Sequence, residues 1–205
     1  MQPKVLVVFY SRTGNVATLA DAIAAGAAGA GADVRTVRID DLAPATVIEA
    51  NSAWKASRDA QRAKYEEART EDLEWADAVV FGTPTRFGNM AAELKLYLDK
   101  TSALWMQGKL ANKVASMFTS AATPHGGHET TLLTMLIPLL HHGMVIVTPG
   151  YTDPGVFSAG TPYGASSVVG GGADQPPTEG DLGVAEAQGR RVAEIAAQLL
   201  RGRAA

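Results

Sequence analysis

The chain of 205 residues contains no cysteine, and only 6% of its residues are aromatic. The absence of cysteine excludes disulfides, a thiolate nucleophile and cysteine-based metal sites. The formal net charge is only −3, so nothing in the charge balance favours nucleic-acid binding. No apolar run reaches membrane-spanning length, and no basic segment followed by an apolar one opens the sequence. We therefore expect a cytoplasmic protein that binds no nucleic acid and is not inserted in a membrane.

Several signatures of catalysis and metal binding are also missing. The sequence has no G-x-S-x-G, so it lacks the nucleophile elbow of the α/β-hydrolases. The pair His128-Glu129 is followed by Leu132 where the zinc signature H-E-x-x-H requires its second histidine. His141 and His142 are adjacent, so on a helix they point in different directions. We predict that the protein holds no metal ion.

The most informative segment that is present lies near the N-terminus. The apolar run Val5–Tyr10 predicts a strand buried on both faces, and an alanine-rich helical segment begins at Asn15. The turn between them carries hydroxyl groups and a glycine. The unpaired N–H groups at the start of a helix bind anions, and hydroxyl groups add further donors. This pattern predicts a bound phosphate; the alternative is an ordinary helix start capped by Ser11 or Thr13.

The composition of this turn narrows the kind of phosphate. It has a single glycine, so it is not the G-x-G-x-x-G turn that binds dinucleotides. It also lacks the G-x-x-x-x-G-K-[ST] loop of nucleotide triphosphatases. The segment Ser11–Asn15 instead resembles the S/T-x-T-G-N phosphate loop of flavodoxin-like proteins, which holds the monophosphate of FMN.

Strand-like and helical segments alternate along the chain. We predict five strands at Val5–Tyr10, Asp33–Ile39, Ala78–Gly82, Val114–Thr119 and Val145–Thr148. We predict four main helices at Asn15–Gly29, Met90–Leu104, Glu129–His141 and Leu182–Leu200. This alternation predicts a single α/β domain over residues 1–205, with three layers: a five-stranded parallel sheet with helices on both faces. Right-handed crossovers and the flavodoxin-like arrangement favour the strand order 2-1-3-4-5.

Two segments are additional to this alternation. Residues 51–72 are highly charged and predict either a helical insertion between the second and third strands or a surface helix. Residues 149–181 are rich in glycine and proline and are long for a connection inside a compact domain. Loops of this length are usually functional, part of an interface, or disordered.

Two further loops, at residues 82–90 and 119–129, follow the third and fourth predicted strands. Because the carboxyl ends of parallel strands meet at one edge of a sheet, we expect both loops to lie beside the phosphate turn. Both contain glycine, proline and groups that hydrogen-bond a flat heterocycle such as isoalloxazine. We expect Phe87 to flank that ring; the alternative is a pair of ordinary turns with Phe87 in the core.

Three longer motifs make the resemblance specific. The segments Gly82–Met90, Leu140–Val147 and Gly160–Ala165 look like motifs of the WrbA family, in the same order, and the resemblance extends over nearly the whole chain. This family comprises flavodoxin-like, FMN-dependent NAD(P)H:quinone oxidoreductases that are usually homotetrameric. The resemblance therefore implies FMN as the cofactor, NADH or NADPH as the hydride donor and a quinone as the acceptor.

The resemblance also implies positions for the site residues, which the three loops complete. The predicted cofactor-binding residues are Ser11, Arg12, Thr13, Gly14, Asn15, Val16, Pro84, Thr85, Arg86, Phe87, Gly88, Asn89, Ser120, Ala121, Ala122, Thr123, Pro124, His125 and His141. By position, Thr13 lies near the nicotinamide and Trp105 lines the pocket over the flavin, so both are predicted substrate-binding residues. No catalytic side chain is required, and His141 is the candidate for a chemical role.

The sequence thus favours a two-electron quinone reductase in which NAD(P)H and the quinone use the same place in turn, a ping-pong mechanism. The main alternative is a flavodoxin-type electron carrier that acts on protein partners. The small net charge and the aromatic-poor loops argue against such a carrier. A second alternative is a non-catalytic scaffold or regulator that retains the fold. Receiver domains are regulators with this fold, but Tyr10-Ser11 and Gly82-Thr83 stand where their acidic cluster is required.

Overall fold

A computed structural model describes residues 2–172 and 175–204 of the chain. Its strands are β1 (Lys4–Phe9), β2 (Asp33–Arg38), β3 (Glu66–Glu67), β4 (Ala78–Arg86), β5 (Asn89–Met90), β6 (Val114–Ala121), β7 (Val145–Ile146) and β8 (Ser166–Val168). Its helices are α1 (Asn15–Gly29), α2 (Ala45–Glu49), α3 (Ser52–Lys64), α4 (Thr70–Trp75), α5 (Ala92–Asp99), α6 (Ser102–Met106), α7 (His128–His141) and α8 (Glu179–Ala204), with a 3₁₀ turn at Pro154–Phe157. The predicted alternation of strands and helices is confirmed.

The strands form one sheet of eight in the order β3-β2-β1-β4-β6-β7. Strand β5 pairs with β4 in antiparallel fashion, and β8 pairs with β6 in parallel fashion. The predicted number of five strands is therefore wrong, because the sheet has eight. The position beside β6 holds two short strands, because β7 pairs with its start and β8 with its end. The added strands are two or three residues long and carry no apolar run that would have marked them.

Side chains of the sheet alternate between two cores, one on each face. On one face, Val5, Val7 and Phe9 of β1 belong to the same cluster as buried residues of α1 and α8. On the other face, Leu6 and Val8 belong to a cluster with α5 and α7. Helices therefore cover both faces, as predicted for a parallel sheet with buried strands.

Two differences from the predicted elements bear on the site. Strands β4 and β6 run on to Arg86 and Ala121, so residues expected in loops are the last residues of strands. The helix predicted over residues 90–104 is divided into α5 and α6. The division lies at Thr101, whose hydroxyl group donates to the Leu98 carbonyl at 2.6 Å. Such a local hydrogen bond competes with the regular helical pattern.

The segment over residues 149–181 has structure of its own, although positions 173 and 174 lie outside the described residues. It contains the 3₁₀ turn, strand β8 and a bridge between Thr161 and Gly164. The charged segment over residues 51–72 contains α3, β3 and the start of α4. None of the described helices combines the length and apolarity that crossing a membrane requires.

Candidate active site

The phosphate turn joins β1 to α1 through a left-handed glycine. Gly14 is the N-cap of α1 with φ 97°, and no side chain caps this helix. The Ser11 hydroxyl group instead accepts the Gly14 N–H at 3.2 Å inside the turn. The alternative of an ordinary side-chain cap is therefore wrong. Within the described ranges, the N–H groups of Asn15, Val16 and Ala17 donate to no protein acceptor, which leaves the anion-binding end of the helix free.

This turn opens onto a cavity of about 170 Å³ at the carboxyl edge of the sheet. The cavity joins three chain segments, at the ends of β1, β4 and β6, and the loops predicted to meet there do meet. Its lining residues are Ser11, Arg12, Thr13, Asn15, Val16, Pro84, Thr85, Arg86, Ser120, Ala121, Ala122 and Val169. All of them except Val169 belong to the predicted cofactor set.

Parallel pairing explains why these residues share one edge. Strand β4 lies between β1 and β6, with Phe9 opposite Gly82 and Pro84 opposite Ser120. A hydroxyl group fixes the end of β6, because Thr119 donates to the Thr83 carbonyl at 2.7 Å. The Ala91 N–H donates to the Thr83 hydroxyl group at 2.9 Å. This hydrogen bond holds the chain after β5 against β4.

Helix α3 supports the phosphate turn from outside the sheet. The buried Gln61 amide donates to the Ser11 carbonyl at 3.0 Å and to the Ser57 hydroxyl group at 2.9 Å. The guanidinium carbon of Arg12 lies 4.1 Å from the centre of the Trp54 ring. Sequence reasoning placed this helix in an insertion but missed its link to the site, since no motif marks Trp54 or Gln61.

The glycine-rich segment contacts the same turn. The Asn15 side-chain amide donates to the Gln175 carbonyl at 3.0 Å, and Val169 lines the cavity. Asn15 is itself buried. Asn15 was predicted as a cofactor residue, but the prediction did not include the contact of its amide group with the segment over residues 149–181.

The tip of the β4–β5 hairpin carries two predicted residues that do not line this cavity. Phe87 is fully exposed and has φ 54°, in the left-handed region. The alternative that placed Phe87 in the core is therefore wrong. Gly88 has φ 76°, and a Cβ atom there would lie 2.9 Å from the Thr130 hydroxyl oxygen. Left-handed backbone at consecutive positions turns the hairpin and projects Phe87 outward.

Trp105 and His141 lie in a second cavity, separate from the first. Its volume is about 550 Å³, and Asn89, Met90 and His142 also line it. The Trp105 indole N–H donates to the His141 carbonyl at 3.0 Å, so this N–H is already used within the chain. Within a single chain, the structure does not bring these two predicted residues to the phosphate turn.

The hydrogen bonds of His142 and Thr101 define which ring nitrogen of His142 donates. The Thr101 hydroxyl group donates its one proton to the Leu98 carbonyl, so His142 Nε2, 2.9 Å away, must donate to Thr101. The Nδ1 atom is buried and has no partner among the described residues. Burial and the neighbouring His141 lower the pKa of His142 below 6.5.

The remaining predicted residues lie outside both cavities. Thr123, Pro124 and His125 are in an exposed turn between β6 and α7 and line neither of them. Gly14 contributes its backbone only. Within residues 2–172 and 175–204, no group of three or more His, Cys, Asp or Glu residues is placed to hold a metal ion.

The sheet, its two helical layers and the three-loop cavity define a flavodoxin-like α/β protein. A family model described as NADPH-dependent FMN reductase matches residues 3–153. The chain therefore belongs to the NADPH-dependent FMN reductase family, and its resemblance to WrbA proteins is confirmed.

Individual relatives agree with this assignment. A protein of Aromatoleum aromaticum named NAD(P)H dehydrogenase (quinone) is 47% identical and spans 98% of this chain and 100% of its own length. One of Archaeoglobus fulgidus with the same name is 44% identical over 96% of this chain and 98% of its own length. The crystal structure of a WrbA-like flavodoxin from Agrobacterium tumefaciens has a TM-score of 0.68 and 26% identity, covering 96% of this chain and 99% of its own.

Proposed function

We propose that the protein reduces quinones to hydroquinones with NAD(P)H through bound FMN, in a two-electron reaction. The observation that carries this proposal is the cavity formed by the ends of β1, β4 and β6 at the free N-terminus of α1. Relatives named NAD(P)H dehydrogenase (quinone) at 43–47% identity over at least 96% of this chain support it. Bound FMN supplies the hydride acceptor and returns two electrons to the quinone.

The residues of this cavity fit a flavin monophosphate. The N–H groups of Asn15, Val16 and Ala17, together with the Ser11 and Thr13 hydroxyl groups, provide donors for a phosphate dianion without a lysine. Ala121 and Ala122 are small and leave room for a flat ring beside the chain. The carbonyl and amide groups of the segments at 84–86 and 120–122 provide its hydrogen-bonding edge.

We propose a ping-pong mechanism, because NAD(P)H and the quinone must each lie flat on the same exposed face of the ring. Steady-state kinetics should give parallel double-reciprocal lines when both substrates are varied. Intersecting lines would require both substrates to be bound at once. They would contradict a single binding site that NAD(P)H and the quinone occupy in turn.

We also propose that four copies of the chain assemble, as WrbA proteins usually do. The large apolar side chains of Phe87, Tyr151 and Phe157 are exposed in a single chain. Assembly would bury these side chains. It would also allow Trp105 and His141 to contact a flavin that is bound at the phosphate turn of another subunit. The cytoplasmic location remains a prediction from the sequence.

A visible spectrum of the purified protein with added FMN tests the cofactor. Oxidation of NADPH and NADH, with and without benzoquinone, tests the reaction. We expect quinone-dependent oxidation by the FMN-loaded protein. If NAD(P)H fails to reduce the bound flavin while a reductase protein succeeds, the chain is an electron carrier instead.

A further inference from the structure

Arg12 differs from the other residues of the phosphate turn in the direction of its side chain. Its guanidinium carbon lies over the Trp54 ring of α3, 4.1 Å from the ring centre, and the residue is exposed. The side chain therefore contacts α3. Arg12 nevertheless lines the cavity with Ser11 and Thr13.

The Trp54 ring is a fixed support. Trp54 is only 8% exposed, and its indole N–H donates to the Asp41 carboxylate at 2.9 Å. The same carboxylate oxygen accepts the Tyr10 hydroxyl group at 2.9 Å. Tyr10 immediately precedes the phosphate turn. The Asp41 carboxylate therefore links the Trp54 ring to the residue before that turn. One face of the guanidinium group is thus covered by an aromatic ring, and its N–H groups donate to no acceptor among the described residues.

The charge of Arg12 is not neutralised by an ion pair. Among the described residues, no carboxylate lies within ion-pair distance of its side chain; Arg38, Arg58 and Arg62 each have an aspartate partner, and Arg35 and Arg69, like Arg12, have none. Arg86 lines the same cavity and donates to the Thr85 carbonyl, again without an ion pair. Two arginines without carboxylate partners line one cavity, so this part of the site carries positive charge that can attract an anionic group.

We propose that Arg12, held against Trp54, binds the 2′-phosphate of NADPH, and that the enzyme therefore prefers NADPH to NADH. This inference rests on the proposed function. A planar guanidinium group binds a phosphate through its N–H edge and stacks on a ring through its face. An arginine is also the residue that accommodates the 2′-phosphate in dinucleotide-binding proteins. The amide groups of α1 remain available for the phosphate of FMN.

The central test compares kcat/KM for NADPH and NADH in the FMN-loaded wild type and in Arg12→Gln. A charge-assisted bond of the usual strength corresponds to roughly a tenfold change in affinity or more. We therefore expect the ratio of kcat/KM for NADPH to kcat/KM for NADH to fall at least about tenfold. Arg12→Lys should recover only part of the loss, because lysine lacks the planar fork.

The chain offers a matched control. The guanidinium carbon of Arg35 lies 4.0 Å from the centre of the Trp75 ring, the same arrangement away from the site. Arg35→Gln should leave the NADPH to NADH ratio unchanged. Trp54→Phe keeps an aromatic face and should retain most of the preference, whereas Trp54→Leu should lower it, with thermal melting used to confirm that both variants fold.

A binding experiment separates this inference from the proposed function. Calorimetry with the FMN-loaded protein measures the affinity for adenosine 2′,5′-bisphosphate and for adenosine 5′-monophosphate. We expect Arg12→Gln to weaken only the bisphosphate, even if the enzyme reduces no quinone. An unchanged bisphosphate affinity, or an equal loss for NADPH and NADH, would overturn the inference. A loss confined to FMN affinity would assign Arg12 to the flavin phosphate instead.

Discussion

At the scale of single residues, the phosphate turn works mainly through its backbone and short hydroxyl side chains. Ser11 stabilises the turn through the Gly14 N–H, and Gln61 holds the Ser11 carbonyl from α3. The sequence predicted the turn, because a buried strand, a hydroxyl-and-glycine segment and a helix are adjacent in the chain. It did not predict Gln61 or Trp54, because their contacts cross about forty to fifty positions of sequence and follow no periodic pattern.

Removing both hydroxyl groups of the turn should weaken FMN binding. We expect the double substitution Ser11→Ala and Thr13→Ala to raise the Kd for FMN at least about tenfold, since each charge-assisted hydrogen bond contributes roughly 1.5–3 kcal/mol. Quenching of flavin fluorescence measures this Kd. Thr36→Ala on β2, away from the cavity, is the control, and an unchanged Kd in the double variant would place the phosphate elsewhere.

His142 should make the stability of the fold depend on pH. Its pKa in the folded chain is below 6.5 because burial and His141 disfavour its charged form. The folded state therefore binds fewer protons than the unfolded state. Its contribution to stability is complete above pH 6.5 and is lost as the pH falls through the lower, folded pKa.

Urea unfolding at a series of pH values between 5 and 8 measures this effect. The free energy of unfolding of the wild type should fall more steeply on acidification than that of His142→Gln. Parallel curves for the two proteins would show that His142 is not held neutral by the fold.

At the scale of elements, α1 and α8 pack so closely that each requires a glycine. A Cβ atom at Gly26 would overlap the Glu186 carbonyl oxygen, and one at Gly189 would overlap the Ile23 carbonyl oxygen. Gln188, next to Gly189, is buried and donates to the Ser116 hydroxyl group at 2.6 Å and to the Met117 carbonyl at 2.8 Å. Helix α8 is therefore fixed against both α1 and β6.

Gly189→Ala should destabilise the protein, because the two backbones would have to separate. Overpacking of this kind typically costs about 1–3 kcal/mol. Gly183→Ala in the same helix is the matched control, since nothing lies within 4 Å of its added Cβ atom. The control should be stabilising by roughly 0.5–1 kcal/mol. Equal melting temperatures for the two variants would contradict the close contact of α1 and α8.

The elements that carry an apolar or alternating pattern were predictable, and the short strands without one were not. Strands β1, β2, β4 and β6 lie at four of the five predicted segments, and the fifth, predicted over Val145–Thr148, is the short β7 over Val145–Ile146. Strands β3 and β5 have the sequences Glu-Glu and Asn-Met. They are strands because they pair with β2 and β4, not because of an apolar pattern of their own. Trp105 and His141 were assigned to one site with the phosphate turn from the resemblance to the WrbA family, whereas within a single chain α6 and α7 carry them to a different cavity.

At the scale of the whole molecule, the exposed aromatic side chains are the main feature that a single chain does not explain. The rings of Tyr151 and Phe157 lie 4.9 Å apart, and their side chains are 60% and 77% exposed. Phe87 projects from a separate hairpin. Tyr163, 39% exposed, lies in the same glycine-rich segment as the aromatic pair and is the expected anchor of a subunit contact.

Light scattering should show a tetramer, at least with FMN present, and Phe157→Asp should shift it toward smaller species. A charge placed in an apolar contact leaves an unpaired ion that is costly to bury. Glu49→Gln, at an exposed position on α2, is the control and should leave the mass unchanged. A monomer that is loaded with flavin and fully active would contradict this assembly.

The account as a whole depends on transfer of two electrons from NAD(P)H through FMN to a quinone. Anaerobic stopped-flow absorbance of the FMN-loaded protein separates the two half-reactions. We predict that NADPH bleaches the flavin absorbance without quinone present, and that benzoquinone then restores the oxidised spectrum rapidly. Bleaching that benzoquinone does not reverse would contradict the quinone assignment, and an absence of bleaching with both NADPH and NADH would contradict the oxidoreductase itself.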